Sequence, residues 1–428
     1  MSQLLTRESL RPTLAHPIVR QNVIYFVGSF LALALAFLYQ FVAGRLLGPE
    51  RYSTVAAIFA LYFVLLVPGL MVTTVAMRQV AVLKASGRLG ELGEFFRRAT
   101  TWLFILSTSG ALVLAAIAGP LSGFLHVPVG ALFALVPAAA LLLPFALNRG
   151  VLQGEQRFLS ASWIPSLEAL TRTALVAIVL ATLLGATGAI LALSAGVLFA
   201  YTASLFPLRH LLRNGQKTLR VRTETPAFIA PTMIAVIGIT VIYTVDVLLV
   251  KHFLPSRESG LYGSVVTMGR VIFMVTTSIT TVMFAQVAAG VGKRASSLRL
   301  LGGSAVVIAA IGAAIILVFT VAPGIVLFPF GSAFSQAAPY LPFFGAAMTM
   351  LSLANLLINY LVATHDARFV PVILLADLAQ VALITAFHQN LSTVIAIVFG
   401  VSTASLLGLL AVVVLGRRTR RVVDRLIN

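Results

Sequence analysis

The chain has 428 residues, of which 60% are hydrophobic and only 10% are charged, and no water-soluble core can hide that share of apolar surface. It contains no cysteine and only six scattered histidines, which excludes disulfides and thiolate metal centres, and we predict no metal site. The formal net charge of +18 is dispersed along the chain, which argues against a nucleic-acid partner and indicates attraction to anionic membrane lipids.

The apolar runs predict an all-α integral membrane protein of about twelve transmembrane helices. A helix needs about 20 apolar residues to cross a bilayer core of about 30 Å, and lipid cannot satisfy the backbone groups of open structures. The first run has full membrane length and no cleavage pattern, so we interpret it as a retained helix. The predicted spans are 22–44, 53–77, 98–118, 130–148, 162–184, 188–208, 227–250, 260–287, 300–328, 338–363, 370–387 and 391–415.

Lysine and arginine are distributed unequally between the two sets of connecting loops. One set, which includes both chain ends, holds 24 of them. The other set holds only Arg45, Arg51, Lys251 and Arg257. Because positive charge is retained on the cytoplasmic side of a membrane, we expect the N- and C-termini to be cytoplasmic. An even number of spans agrees with this orientation.

Three short segments of the first half recur in the second half. The pairs are Gln153–Phe158 with Thr364–Phe369 (an offset of 211), Arg78–Ala81 with Ala285–Ala288, and Leu47–Tyr52 with Leu254–Tyr262. We interpret them as a six-helix unit repeated in the same orientation. This predicts two six-helix lobes, 1–216 and 217–428, related by a pseudo-two-fold axis along the membrane normal, with a linker at about 209–225 and a binding site between the lobes.

The turn Gly48–Tyr52, and Val245–Val250 leading to Gly260–Gly263, resemble polysaccharide-biosynthesis transporters. Their superfamily also contains the multidrug and toxin extrusion antiporters and the lipid II flippases, which usually have two further C-terminal helices. The resemblance implies a flippase that moves an undecaprenyl-diphosphate-linked oligosaccharide to the outer leaflet of the bacterial plasma membrane. We expect alternating access between the two lobes. Envelope polysaccharide polymerases and glycosyltransferases are the expected protein partners.

Two other functions stay open at this point. A cation-coupled multidrug antiporter of the same fold would have an acidic pocket poor in arginine, whereas a cationic pocket favours the diphosphate. A non-transporting scaffold of an envelope-assembly machine would show no alternating access. We predict neither an enzyme nor a cofactor, because the external loops are brief and nearly uncharged and the chain has no Gly-x-x-x-x-Gly-Lys-Ser/Thr loop.

Arg270 is the sharpest candidate for substrate binding, because a charge inside a membrane span is costly. It lies about 12 Å into the eighth span and shares a helix face with Thr267, Thr277 and Thr281. A guanidinium can grip a diphosphate bidentately and stays charged at any pH. The alternative is a structural ion pair with a carboxylate of a neighbouring helix.

Three further residues are candidates for contact with the substrate. The resemblance assigns a site role to Asp246, whose alternative role is to pair with Lys251 or Arg257. Arg78 ends an apolar run, where a phosphate could first be captured from the inner leaflet. Asn355, on a polar face of the tenth span, can bond sugars, although amides also join membrane helices.

Carboxylates inside the spans are candidates for binding a coupling ion, either H⁺ or Na⁺. Glu168 and Arg172 stand one turn apart in the fifth span, where they bind substrate or ion, or neutralise each other as a structural pair. Asp377 is the repeat counterpart of Glu168 in the eleventh span, and no arginine follows it one turn later. Its alternatives are capping by hydroxyl groups or pairing with Arg270.

Overall fold

The computed structural model describes residues 17–180, 184–213, 226–288 and 294–427, and within these ranges all regular structure is helical. The α-helices are α1 (Pro17–Ala85), α2 (Leu89–Ala116), α3 (Ala118–Leu125), α4 (Val129–Gly154), α5 (Phe158–Leu180), α6 (Gly185–Arg213), α7 (Pro226–Phe253), α8 (Ser256–Ala288), α9 (Arg294–Val321), α10 (Pro323–Leu327), α11 (Leu341–Ala363), α12 (Val370–Ala386) and α13 (Leu391–Ile427). Three 3₁₀ segments are Phe328–Phe330, Ser332–Tyr340 and Ala367–Phe369. The predicted all-α class is confirmed.

Ten helices in the described residues are long and apolar enough to cross a membrane, which confirms a multi-pass membrane protein. The first of them, Val27–Ala85, has 59 residues, more than twice the length that one span needs. Helix α5, which carries Glu168 and Arg172, is not among the ten. The count of about twelve spans and the cytoplasmic placement of both termini therefore stay predictions.

Helix α1 consists of two helical segments joined at Gly48. This residue has φ 68° and ψ 171°, which is not helical, and it lies between the predicted spans 22–44 and 53–77. Positive φ costs glycine little because it has no Cβ. Apart from the adjoining backbone, no heavy atom of the described residues lies within 4 Å of the place where a Cβ would stand, so the backbone conformation, not crowding, calls for glycine here.

The chain divides into two compact units by its internal contacts. Unit 1 is formed by the described parts of Met1–Leu46 and Leu65–Thr223, and unit 2 by Leu47–Val64 with the described parts of Glu224–Asn428. The Leu47–Val64 segment of α1 thus belongs with helices that are distant in sequence. The lobes at 1–216 and 217–428 stay a prediction, and most of the predicted linker, 214–225, lies outside the described residues.

Small residues bring the helices of unit 1 into close contact. A Cβ on Gly150 would lie 2.5 Å from the Thr73 carbonyl oxygen, and one on Gly154 would lie 2.6 Å from that of Met77. Glycine at such positions lets the backbones of α1 and α4 approach closely, which is how helices associate without a hydrophobic driving force in lipid.

In unit 2, small residues also join the Leu47–Val64 segment to α8. A Cβ on Gly260 would overlap the carbonyl group of Pro49, and one on Gly263 would lie 2.7 Å from the Cβ of Ala56. The first half of α8, from Ser259 to Arg270, is buried throughout. This contact places the segment directly against the part of α8 that carries Arg270.

Helices α4 and α11 end in the same kind of turn. Gln156 and His365 each have positive φ, and in both turns the next residue's N–H donates to the carbonyl group five residues before it, as in a Schellman motif. Gln156 and His365 are 209 residues apart, which is also the separation of Glu168 and Asp377. The turn therefore recurs two residues out of register with the sequence match of Gln153–Phe158 and Thr364–Phe369.

Candidate functional site

Three of the predicted binding residues lie together in unit 2. Arg270 and Thr267 are on α8, and Asp246 is on α7. Their exposed fractions are 7%, 8% and 1%, respectively, so all three are buried although each is polar or charged. Buried polar groups need partners, because an unpaired one costs free energy. The partners of these three residues therefore define the site.

The guanidinium of Arg270 is held by aromatic rings and one backbone carbonyl. Its Nη2 donates a hydrogen bond of 2.9 Å to the Tyr243 carbonyl oxygen. Its central carbon lies 4.4 Å from the ring centroid of Tyr243 and 5.3 Å from that of Phe63. The Nε–H group has no hydrogen-bond partner in the described structure. A desolvated cation–π contact is worth about 2 kcal/mol, so the rings stabilise the charge and still leave N–H donors unused.

The structural ion pair, which was the alternative for Arg270, is not formed. No carboxylate lies within 4 Å of this guanidinium in the described residues, where the ion pairs that are seen involve other arginines and a histidine. The predicted alternative of an Asp377–Arg270 pair is likewise absent from this part of the chain. Arg270 is therefore a buried cation without a direct counter-ion.

Asp246 has one satisfied and one unsatisfied carboxylate oxygen. Its Oδ2 accepts a hydrogen bond of 2.5 Å from the Tyr262 hydroxyl, and its Oδ1 has no partner in the described structure. It attracts Arg270 electrostatically without contacting it. Lys251 and Arg257, the predicted alternative partners, bond to serine hydroxyls and to Gln336 instead. Tyr262 thus orients the carboxylate and leaves its second oxygen available.

Thr267 connects this cluster to the Leu47–Val64 segment. Its hydroxyl donates to the Gly263 carbonyl oxygen at 2.8 Å, so the 3.2 Å contact between its oxygen and Tyr52 has the tyrosine as donor. Tyr52 in turn packs edge-on against Phe330 and Phe334. None of these aromatic residues was predicted to be a partner in the site. Tyr52 and Tyr262 lie in the two segments that resemble the family, whereas only its closeness in sequence to Asp246 could have signalled Tyr243.

Thr277 and Arg78 lie outside the Arg270 cluster. Thr277 is exposed and its hydroxyl donates to the Phe273 carbonyl oxygen of its own helix; Thr281 behaves in the same way. The predicted polar stripe of α8 is therefore buried at one end and exposed at the other. Arg78 is an exposed residue of unit 1.

Glu168 and Arg172 form an ion pair inside unit 1. Arg172 Nη1 lies 3.0 Å from Glu168 Oε1, and the guanidinium lies 5.5 Å from the ring centroid of Tyr39. A Cβ on Gly196 would lie 2.9 Å from the Glu168 carbonyl oxygen and 3.0 Å from the Arg172 Cβ, so α6 packs tightly on the pair. This geometry favours the self-compensated structural pair over a substrate contact.

Asp377 and Gln380 place two unsatisfied oxygens between α12 and α7. Asp377 Oδ1 and Gln380 Oε1 are buried atoms without a hydrogen-bond partner in the described structure. Gln380 Nε2 donates to the Ile242 carbonyl oxygen at 3.1 Å, and Gly238 leaves room for the other Asp377 oxygen. The Asp377 carboxylate has no ion-pair partner in the described residues.

Asn355 on α11 is buried and bonded within its own helix. Its Oδ1 accepts a hydrogen bond of 2.9 Å from Asn359 Nδ2. On the same helix, the Thr349 side chain would lie 2.5 Å from a Cβ on Gly312, so α9 and α11 are in close contact there. This arrangement favours helix packing over sugar binding for the polar face of α11.

Comparison with known proteins gives one family match and several structural matches. Residues 18–284 match the sequence model of a family described as "Polysaccharide biosynthesis protein". A search of curated protein sequences finds no significant match.

The fold is similar to three solved transporters. The first is an inward-facing multidrug resistance MATE family transporter of the MOP superfamily, with a TM-score of 0.74 and 11% identity over 93% of this chain and 99% of that chain. The second is the lipid II flippase MurJ in an inward closed conformation, with a TM-score of 0.71 and 13% identity over 91% of this chain and 87% of that chain. The third is a MOP superfamily transporter from Pyrococcus furiosus, with a TM-score of 0.65 and 15% identity over 93% of this chain and 95% of that chain. These identities show a shared fold alone.

Proposed function

The chain belongs to the polysaccharide biosynthesis protein family and has the fold of MOP superfamily transporters, and from this premise we propose that it flips a polyprenyl-diphosphate-linked oligosaccharide across the bacterial plasma membrane. It is a secondary transporter that works by alternating access, and the lipid tail stays in the bilayer while the headgroup crosses. Envelope glycosyltransferases and polymerases supply and consume this substrate. The observation that supports the proposal most is that Arg270 is buried and contacts no carboxylate in the described residues.

Arg270 supports a diphosphate substrate because it is a buried cation that contacts no counter-ion among the described residues. A phosphate oxygen supplies the charge and the acceptors that the free N–H groups lack. Cation–π contacts with Tyr243 and Phe63 keep the guanidinium charged and in place while no substrate is bound. Asp246, held by Tyr262, balances part of the charge at a distance and does not occupy the donors.

The energy source we propose is a cation that binds at Asp377. Asp377 Oδ1 and Gln380 Oε1 are oxygen groups without partners in the described structure, and oxygen is the ligand that hard cations prefer. A proton on the carboxylate would instead remove its charge and make that oxygen a hydrogen-bond donor. Glu168, already bonded to Arg172, is the weaker candidate for this role.

A cation-coupled multidrug antiporter of the same fold is the second candidate. Its supporting observations are the fold match with a multidrug resistance transporter, the aromatic rings near Arg270 and the free oxygen of Asp246. Aromatic faces bind organic cations. In this chain, however, the guanidinium already lies over those faces, so a cationic drug would meet a like charge. The arginine therefore favours the anionic substrate.

The test is transport by Arg270→Ala in proteoliposomes that contain a fluorescent polyprenyl-diphosphate oligosaccharide. Hydrogen bonds to a charged group are worth about 1.5–3 kcal/mol, so we expect the rate to fall by about 10- to 100-fold. The matched control is Arg257→Ala, which removes an exposed arginine of the same helix whose described bond, to Gln336, is 3.5 Å long, and it should transport normally.

Normal transport by Arg270→Ala would refute the diphosphate site. If that variant also gains export of a quaternary ammonium dye, the antiporter is the better description. The scaffold alternative requires that neither substrate moves and that no residue changes accessibility. Since the chain has no cysteine, single cysteines can be introduced and labelled from each side of the membrane without background.

A further inference from the structure

Lys251 is a buried amine whose partners in the described structure are hydroxyl groups. It is 2% exposed, and its Nζ donates to Ser53 Oγ at 2.8 Å and to Ser256 Oγ at 3.0 Å. No carboxylate lies within 4 Å of it in the described residues. An ammonium has three N–H donors and carries a full charge, and neutral hydroxyls compensate that charge poorly. Lys251 therefore has the chemistry of an anion-binding group, and serine hydroxyls lie where the anion would bind.

Ser53, one of the two serines that bond to Lys251, is on the Leu47–Val64 segment. The Ser53 hydroxyl donates to the Glu50 carbonyl oxygen at 2.6 Å, so its oxygen is the acceptor for Lys251. The segment begins at the helix break at Gly48, and it meets α8 closely at Gly260, with Tyr52 bonded to Thr267 further along. The residue that covers Lys251 is thus on a segment that starts at a break in its own helix.

The same segment also covers Arg270. Phe63 lies over the guanidinium of Arg270, and Ser53, ten residues earlier on one helix, bonds to Lys251. On α7, Lys251 is eight residues beyond Tyr243, whose carbonyl oxygen holds Arg270, so the two basic sites are about 12 Å apart along the helix axis. A movement of this one segment would therefore remove a covering residue from both cations. One diphosphate is too short to bridge that distance.

We propose that Lys251 is a second phosphate-binding group of unit 2, covered by Ser53 in this conformation and exposed together with Arg270 when the Leu47–Val64 segment leaves. The diphosphate headgroup is held by the two cations in succession. This inference rests on the proposed transport of a diphosphate-linked substrate, and it adds a second station to that substrate's path.

The test is a double-mutant cycle in the purified full-length protein, with inorganic pyrophosphate as the probe and calorimetry as the measurement. Ser53→Ala removes the competing hydroxyl oxygen and keeps the amine. One hydrogen bond is worth about a fivefold change in an equilibrium, so the dissociation constant should fall about fivefold. Lys251→Met should weaken binding, and adding Ser53→Ala to it should restore nothing. Arg257→Ala, an exposed cation nearby, should bind as the unmodified protein does.

Three results would overturn the inference. They are an unchanged affinity in Ser53→Ala, a gain that persists in the double variant, and no saturable pyrophosphate binding by Ser53→Ala. Failure of the proposed function looks different, because Arg270→Ala would then bind pyrophosphate and transport normally. If Arg270→Ala is impaired in transport and the effects of the Ser53 and Lys251 changes on pyrophosphate affinity are additive, the proposed function stands and only the second phosphate-binding group is refuted. Lys251→Arg, which keeps the charge, separates loss of the cation from loss of folding.

Discussion

Gly260 is the position where a single methyl group tests the packing of the Leu47–Val64 segment. In Gly260→Ala, the new Cβ would overlap the Pro49 carbonyl group, 2.5 Å from its carbon and 2.9 Å from the Cα of Pro49. These are backbone atoms, so no side-chain rotation can relieve the overlap. The segment must shift away from α8, or the helix must bend.

The matched control is Gly302→Ala on α9, where the new Cβ meets no heavy atom within 4 Å in the described part of the chain, its own helix backbone aside. Alanine gains up to about 1 kcal/mol over glycine inside a helix, and this gain applies to both variants. Overpacking costs about 1–3 kcal/mol, and it applies only at Gly260. The difference between the two free energies of unfolding should therefore be about 1–3 kcal/mol, with Gly260→Ala the less stable.

The assay has two readouts, the midpoint of thermal unfolding in detergent and the rate at which a charged maleimide labels Ser53→Cys. We expect Gly260→Ala to melt a few degrees below Gly302→Ala. We also expect faster labelling at position 53, since the segment is pushed off α8. Equal melting and equal labelling in the two glycine variants would show that Pro49 and Gly260 are not in contact, and the argument for a shared cover of both cations would fail with them.

Four further single variants and one double variant test the polar groups. Glu168→Gln and Arg172→Gln should each lower the free energy of unfolding by about 3 kcal/mol, because each single change leaves a buried charge without its partner. The double variant should lose less than the sum of the two, and thermal unfolding measures all three. Asp377→Asn should abolish the dependence of transport on a Na⁺ or H⁺ gradient without lowering the melting temperature, because no ion pair is lost; retained dependence would exclude this carboxylate. Tyr262→Phe frees Asp246 Oδ2 and should cost about 1–3 kcal/mol of stability, whereas an unaltered melting curve would mean that the hydrogen bond is weak.

Hydropathy was enough to predict the all-α membrane class, because an apolar run long enough to cross a bilayer is helical there. The break between the first two predicted spans is also visible in sequence as Leu47-Gly48-Pro49, and Gly48 has the non-helical backbone. Helix ends were less predictable. The predicted span 300–328 ends as helix α9 at Val321, and Pro323 begins the short α10, because proline is favoured at a helix start and not inside one.

The membership of Leu47–Val64 in unit 2 could not be predicted from the sequence. Its residues are ordinary for a membrane helix, and the information lies in a contact between Pro49 and Gly260, about 200 positions apart. Both glycines of the Gly260–Gly263 motif were recognised as part of a family pattern. The physical reason for them, a close approach of two backbones, appears only when the two helices are side by side.

The site was predictable in its charges and not in its partners. Arg270, Asp246 and Asp377 stand out because ionised groups are rare inside membrane spans. Their surroundings are tyrosine, phenylalanine and serine, which occur throughout such helices for packing alone, so composition cannot single out Tyr262 or Ser53. For the same reason, the polar face at Asn355 could not be separated from helix packing until its bond to Asn359 was seen.

Helix α7 links the proposed anion site at Arg270 to the proposed cation site at Asp377. The carbonyl oxygens of Ile242 and Tyr243, consecutive residues, accept hydrogen bonds from Gln380 on α12 and Arg270 on α8, respectively. A phosphate that draws Arg270 from the Tyr243 carbonyl oxygen removes a hydrogen bond from α7. The next carbonyl group, that of Ile242, holds the side-chain amide of Gln380, which lies beside Asp377. Coupling between two sites is reciprocal, so pyrophosphate should change the affinity for the coupling cation by the same factor as the cation changes the affinity for pyrophosphate. Calorimetry with each ligand in the presence of the other measures both factors. Independent binding of the two would mean that α7 only supports both sites and that the gradient acts elsewhere in the molecule.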